Sequence, residues 1–352
     1  MSPVERRDPR VAPKIPRKVQ DPRGWFSRVL FGFRPEEVMT ILFFIPMVLA
    51  LAAMSRENAI LPGPAATYPG SFVRLLALVG STGLCLWIVR YRPQWEFARD
   101  AMPFVFCANV YANLYDLIRF FNMENITQHL YHWDVALFGV EPTVWAERFI
   151  APVWTDFFTV CYWLFYVCAP VMGLILYLNR DRKAFRYTMV SVVLCLFMGY
   201  IGYVLWPASA PRLAISQMYS IDLHGDPTLD YTRSAVSAVP LTSFGAFPSL
   251  HCAVALLALL LAWKHLRWFF WVQLPFGIGL ILGTVYLRHH WVVDILAGFV
   301  LTAISFYAGP RLEEFWRRQG GQRESDEIWI PRDGGGGAGE SEWTRPRRVA
   351  AP

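Results

Sequence analysis

The stretch Val153-Trp-Thr-Asp-Phe-Phe-Thr-Val-Cys-Tyr-Trp-Leu-Phe-Tyr-Val-Cys-Ala-Pro-Val-Met-Gly-Leu-Ile-Leu-Tyr-Leu178 is almost unbroken apolar sequence. A helix needs roughly 20 such residues to cross the hydrocarbon core of a bilayer, and this run exceeds that. At that depth no water satisfies the peptide groups, so a helix, which closes its own hydrogen bonds, is the expected form. Reading outward gives seven more blocks: Val38–Met54, Phe72–Val89, Ala101–Phe121, Tyr187–Trp206, Ser249–Trp263, Trp268–Leu287 and Trp291–Ala308. The third span in chain order, Ala101–Phe121, is the weakest, because Asn113, Asp116 and Arg119 interrupt it. The expected fold class is all-α integral membrane, with about eight transmembrane helices.

The composition agrees. Of the 352 residues 55% are hydrophobic and only 17% charged, against about 25% charged in soluble domains; mean hydropathy is +0.32. Fifteen Trp and twenty-six Phe suit spans with aromatic residues at their interfaces. Six cysteines all fall in apolar stretches without metal-ligand spacing, and are expected to act as small apolar fillers. Segment Met123–Ala151 mixes Leu137-Phe138-Gly139 and Trp145 with acids, as an interfacial or short re-entrant helix does. Residues 1–35 and 310–352, rich in Arg, Pro and Gly, are expected to be disordered tails.

Cationic residues set the orientation. With eight spans and a cytoplasmic amino terminus, only Arg56, Arg74, Arg119, Arg148, Arg212, Arg233 and Arg288 of the 33 Lys and Arg fall outside the inner-side segments. Both termini are then cytoplasmic, which fits a multi-pass protein of a bacterial inner membrane. The net charge of +6 reads as a topology signal with some attraction to anionic lipid, not as a nucleic-acid footprint. The expected partners are membrane lipids, and nucleic acid is excluded.

Three outward segments hold the unusual residues: Pro207-Ala-Ser-Ala-Pro211-Arg212 after the fifth span, Gly245-Ala-Phe-Pro-Ser249-Leu-His251 opening the sixth, and Tyr286-Leu-Arg288-His289-His290-Trp-Val-Val-Asp294 opening the eighth. The sixth and seventh spans form a hairpin, so Arg288–Asp294 returns to the face where His251 began, and the fifth span delivers Arg212 there. Ionisable residues at such a depth are costly and usually functional. His290 and Asp294 are four apart and share a helix face. The carboxylate can therefore hold one imidazole nitrogen and leave the other's lone pair for a substrate. His289, five from Asp294, is expected to point elsewhere. Pro248 and Ser249 sit where a helix starts, and free N–H groups there favour a phosphate. Arg212 and Arg288 suit charge neutralisation on phosphate oxygens. No Asp/Glu cluster suggests Mg²⁺, so no metal or cofactor is expected and metal-free attack by histidine is favoured.

Taken singly, each feature has a plainer reading. His251 can be an interfacial polar residue, and His290–Asp294 a hydrogen-bonded pair joining helices. The arginines can reach lipid headgroups, and Asp134 can serve as a loop cap. A non-catalytic lipid-binding or transport protein is the corresponding whole-chain alternative.

The same segments resemble the phosphatidic acid phosphatase type 2 superfamily. Phe247-Pro-Ser-Leu-His251 and Arg288-His-His-Trp-Val-Val-Asp294-Ile-Leu-Ala-Gly298 look like its second and third motifs. The doubled histidine after Arg, with the upstream segment Asp134-Val-Ala-Leu-Phe-Gly139-Val-Glu-Pro-Thr143, is most similar to the inositol phosphorylceramide synthase branch. The resemblance covers roughly residues 100–308. It implies a six-helix catalytic membrane core over 96–309, with residues 36–95 as two accessory helices. It further implies a phosphohistidine at His290, orientation by Asp294, leaving-group protonation by His251, and phosphate contacts from Ser249, Arg212 and Arg288. The activity implied is lipid phosphotransfer, or hydrolysis of a lipid phosphate or polyprenyl pyrophosphate. Two departures, Pro211-Arg212 in place of Arg-Pro and an Arg only two residues before His290, fit the synthase-like branch better than a simple phosphatase.

Overall fold

In a computed structural model that describes residues 24, 27, 30–58, 71–92, 95–121, 123–237 and 244–320, the apolar blocks become long helices. In chain order the helices are α1 (Pro35–Asn58), α2 (Ser71–Tyr91), α3 (Glu96–Phe121), α4 (Thr127–Phe138), α5 (Pro142–Trp145), α6 (Pro152–Leu178), α7 (Arg182–Leu205), α8 (Pro211–Ala214), α9 (Pro227–Ser237), α10 (Leu250–His265), α11 (Arg267–Tyr286) and α12 (Val292–Gly320). Local chemistry sets several of their starts. Pro152 opens α6, Asp181 caps α7 by accepting from the Ala184 N–H, and Ser249 caps α10 through the Cys252 N–H. No strand occurs among the described residues; one isolated parallel bridge joins Ala208 to Gly245.

Five helical stretches among the described residues are long and apolar enough to cross a membrane: Pro35–Ala53, Pro152–Leu178, Arg182–Leu205, Arg267–Tyr286 and Val292–Gln319. The chain is a multi-pass membrane protein, with five such stretches among the described residues where about eight spans were expected. Helix α10 has only 16 residues. The apolar part of α2, Leu76–Ile88, is short. Helix α3 carries Asp100, Asn113 and Asp116, all buried.

Helix α10 explains the arrangement. It packs on α6, α7, α11 and α12 at once, and it buries residues on every side, among them Leu250, Ala253, Leu257, Leu261 and Ala262. A helix apolar all round belongs at the centre of a bundle. Around it α7 packs on α12 and α6 on α11, while α3 bridges α7 to α1 and α2. Large apolar side chains such as Leu42, Val153, Leu178 and Val300 remain exposed on the outside, as a lipid-facing surface requires.

Segment Met123–Ala151 folds into α4, α5 and a 3-10 turn (Ala146–Phe149), with Trp133, Leu137, Phe138, Trp145 and Phe149 exposed. Helix α12 continues beyond residue 310, where a tail was expected, to Gly320. The reason is an ion pair: Glu313 meets Arg186 of α7 at 2.9 Å, so polar sequence stays helical against the bundle. Residues 1–23 and 321–352, expected as disordered tails, lie outside the described residues.

Candidate active site

At one end of the bundle the three singled-out segments are knitted by main-chain bonds. Ala208 N donates to Phe244 O at 3.1 Å and Ala246 N to Ala208 O at 3.0 Å, joining the first segment to the second. Arg212 N donates to Arg288 O, and Ser249 N to Asp294 O, each at 3.0 Å, joining both to the third. The buried Trp291 indole adds a bond to Ser209 O at 3.0 Å. Gly298 permits the close approach of α12 to the start of α10, since a Cβ there would lie 2.5 Å from Ser249 O.

The turn after α11 aims the histidines. His289 N donates to Thr284 O and Arg288 N to Val285 O, the paired bonds of a Schellman motif. Its left-handed position, usually glycine, is held by Arg288 at φ 62°. A side chain there costs roughly 1–2 kcal/mol, so other contacts must hold it. The Arg288 guanidinium bonds Glu147 at 2.9 Å and Ile221 O at 2.5 Å, and lies 3.8 Å above the Tyr219 ring. Glu147 also accepts from Ser220 N, Ser220 Oγ and Ile221 N, and Tyr219 bonds Thr143, itself held by Glu141. Arg288, expected to bind phosphate, is thus engaged by a carboxylate, a carbonyl and an aromatic face.

The imidazoles converge. His290 Nδ1 lies 3.3 Å from Asp294 Oδ2, and His290 Nε2 lies 3.4 Å from His251 Nδ1. Asp294 is fully buried; its Oδ2 also accepts from Trp291 N at 3.0 Å, while its Oδ1 has no partner. With Asp294 ionised, the proton belongs on Nδ1 and the Nε2 lone pair faces His251. Burial, the nearby His251 ring and the Arg212 cation all hold His290 well below the usual imidazole pKa, so it stays neutral. His251 Nε2 is buried without a partner, and its ring stacks on Tyr162 at 4.5 Å.

Ser249, fully buried, uses its Oγ as the α10 cap. Arg212 sits beside the histidines: its guanidinium contacts His289 Nδ1, and its Nε is buried without a partner. Among the described residues no carboxylate pairs with Arg212. A guanidinium with no carboxylate partner among the described residues, a helix N-terminus and two facing imidazoles can together accept an anion.

Sequence reading left three supports unidentified. Asp134 accepts from Val292 N at 2.7 Å and Val293 N at 2.9 Å, so it caps the helix that carries Asp294. Burial raises its carboxyl to about 6, against the two backbone bonds. A loop cap was expected at this residue; it lies inside α4 and caps α12 instead, a partner that no local spacing links to residue 134. Tyr162 and Glu147 carried no signal at all.

A family model described as the PAP2 superfamily matches residues 128–308. Phosphoinositol dihydroceramide synthase of Bacteroides thetaiotaomicron is 29% identical over 196 residues, which cover 48% of this chain and 62% of that protein. A PA-phosphatase related-family protein of Dictyostelium discoideum is 26% identical over 197 residues, 50% of this chain and 36% of that protein. The chain thus spans less than two thirds of either relative. No solved structure matches it. The matched residues run from α4 into α12 and take in all three knitted segments; the chain belongs to the PAP2 superfamily.

Proposed function

We propose that this protein is a lipid phosphotransferase that works through a phosphohistidine on His290. The observation that carries the reading is the line Asp294 Oδ2, His290 Nδ1, His290 Nε2, His251 Nδ1, with contacts of 3.3 and 3.4 Å. His290 Nε2 attacks phosphorus, a P–O bond to the lipid alcohol breaks, and His251, which enters the step as the imidazolium paired with the anionic phosphate, gives its proton to the departing oxygen and becomes neutral. A hydroxyl acceptor then attacks the phosphohistidine, the N–P bond breaks, and His251 takes the acceptor's proton. The phosphate enters at the His251–His290 contact. There the unpaired Arg212, Ser249 and the amino end of α10 meet its oxygens, while Arg288 acts mainly by holding the turn.

The catalytic unit is the six-helix part of the chain, 96–309, with 36–95 as an accessory pair. The cation bias supports a reading with both termini in the cytoplasm and the site at the outer face of the membrane, which we take to be a bacterial inner membrane. The name of the Bacteroides relative suggests the substrates: a phosphoinositol-bearing phospholipid as donor and a dihydroceramide-like hydroxyl lipid as acceptor. A second reading, with water as acceptor, follows from the phosphatase-related relative.

Purified full-length protein incubated with labelled phosphatidylinositol, with and without dihydroceramide, separates the two. Label carried to the acceptor lipid supports the transferase. Release of water-soluble phosphate alone, whatever acceptor is present, leaves the phosphatase.

A further inference from the structure

His289 is not the nucleophile, yet it is buried and sits at the site. Its ring packs on Tyr162 with centroids 4.5 Å apart, and that phenol also packs on the His251 ring at 4.5 Å. Its Nδ1 touches the Arg212 guanidinium. A guanidinium only donates, so Nδ1 must carry the lone pair and the proton must sit on Nε2. We propose that His289 is a positioning residue that orients Arg212 through a neutral acceptor and so leaves the arginine's charge undiminished for the phosphate. The proposal rests on the reading of Arg212 as a phosphate ligand.

The contrast with Arg288 carries the argument. Arg288 is held by the carboxylate of Glu147, which fixes the side chain and also cancels its charge. Arg212 is held by fewer contacts, through its main-chain N–H to Arg288 O and its side chain to His289. Its partner is an imidazole, and among the described residues no acid pairs with it. A carboxylate in that place would compete with a phosphate for the same donors; an imidazole directs them without neutralising them. Both arginines keep a buried Nε without a partner among the described residues, so the difference between them is the carboxylate on Arg288.

The test uses purified full-length protein and inorganic phosphate as the probe, with Kd measured for the unmodified chain and each variant. Asn and Asp are isosteric and both offer an acceptor near the Nδ1 position, but only Asp is anionic. His289→Ala should weaken phosphate roughly 10- to 100-fold, the worth of a hydrogen bond to a charged group. His289→Asn should recover most of that loss, and His289→Asp should not. In an Arg212→Ala background, His289→Ala should cost no more than about twofold, because it acts through the missing arginine. Equal effects of Asn and Asp, or a full additive loss in the double variant, overturn the role given to His289. If the Ala variant fails to fold, the Asn–Asp pair still decides. Failure of the unmodified protein to bind phosphate overturns instead the phosphoryl-transfer reading beneath it.

Discussion

His290 can attack phosphorus only as the neutral imidazole, and its surroundings keep it so: burial, the His251 ring and Arg212 all disfavour its cation. On the proposed mechanism, a lowered pKa keeps His290 nucleophilic on acidification. The acid limb of phosphoenzyme formation assigned to His290 should therefore lie below the usual imidazole value of about 6.5, measurable as the rate of label uptake against pH. A limb at or above that value contradicts the electrostatics. His290→Ala should lower turnover by at least ~10²–10⁴. Asp294→Ala should be milder, because it misorients the nucleophile without deleting it; negligible and equal losses in a turnover assay would remove the case for chemistry. The i,i+4 spacing made this pair legible from sequence. The role of His289 was not, because it depends on a left-handed residue at Arg288 that turns the chain after α11.

At the scale of elements, the site depends on how α12 begins and on the turn before it. Asp134 satisfies two of the free N–H groups there. Asp134→Ala should cost about 1–2 kcal/mol of stability, seen as a lower midpoint of thermal unfolding in detergent, with loss of activity alongside. An unchanged midpoint denies the cap. Arg288 makes a sharper case. Arg288→Gly suits the positive φ but discards the Glu147 pair, whereas Arg288→Ala keeps the strain and discards the pair too. If Arg288 positions the turn, Gly should be more active than Ala. If it is chiefly a phosphate ligand, the two should be equally impaired. The apolar blocks announced the helices that carry these turns. The short helices α4 and α5 were legible only as an interfacial segment, because their value lies in contacts distant in sequence.

Over the whole molecule, polar networks close both ends of the bundle. Opposite the histidines, Arg186 of α7 bonds Glu36 of α1 and Glu313 of α12, and Asp100 of α3 bonds Arg34 and Arg182. These links fasten the first helix to the rest through side chains nearly removed from solvent. Removing one partner of such a group strands the other charges, at about 3–5 kcal/mol; Arg186→Met should therefore unfold the protein at markedly lower temperature. A shift no larger than that of an exposed-surface variant would show the network to be incidental. The sequence displayed these charges only as a cation bias marking one side of the membrane. Their pairing across 150 residues was beyond any local pattern, whereas the α10–α11 hairpin, by length alone, returned Arg288–Asp294 to the level of His251. That convergence is the central claim, and trapping the intermediate tests it most directly. Protein quenched during turnover with phosphorus-labelled lipid should carry acid-labile label that maps to His290 and is absent from His290→Ala. Label on another residue, or undiminished label in that variant, would contradict the account.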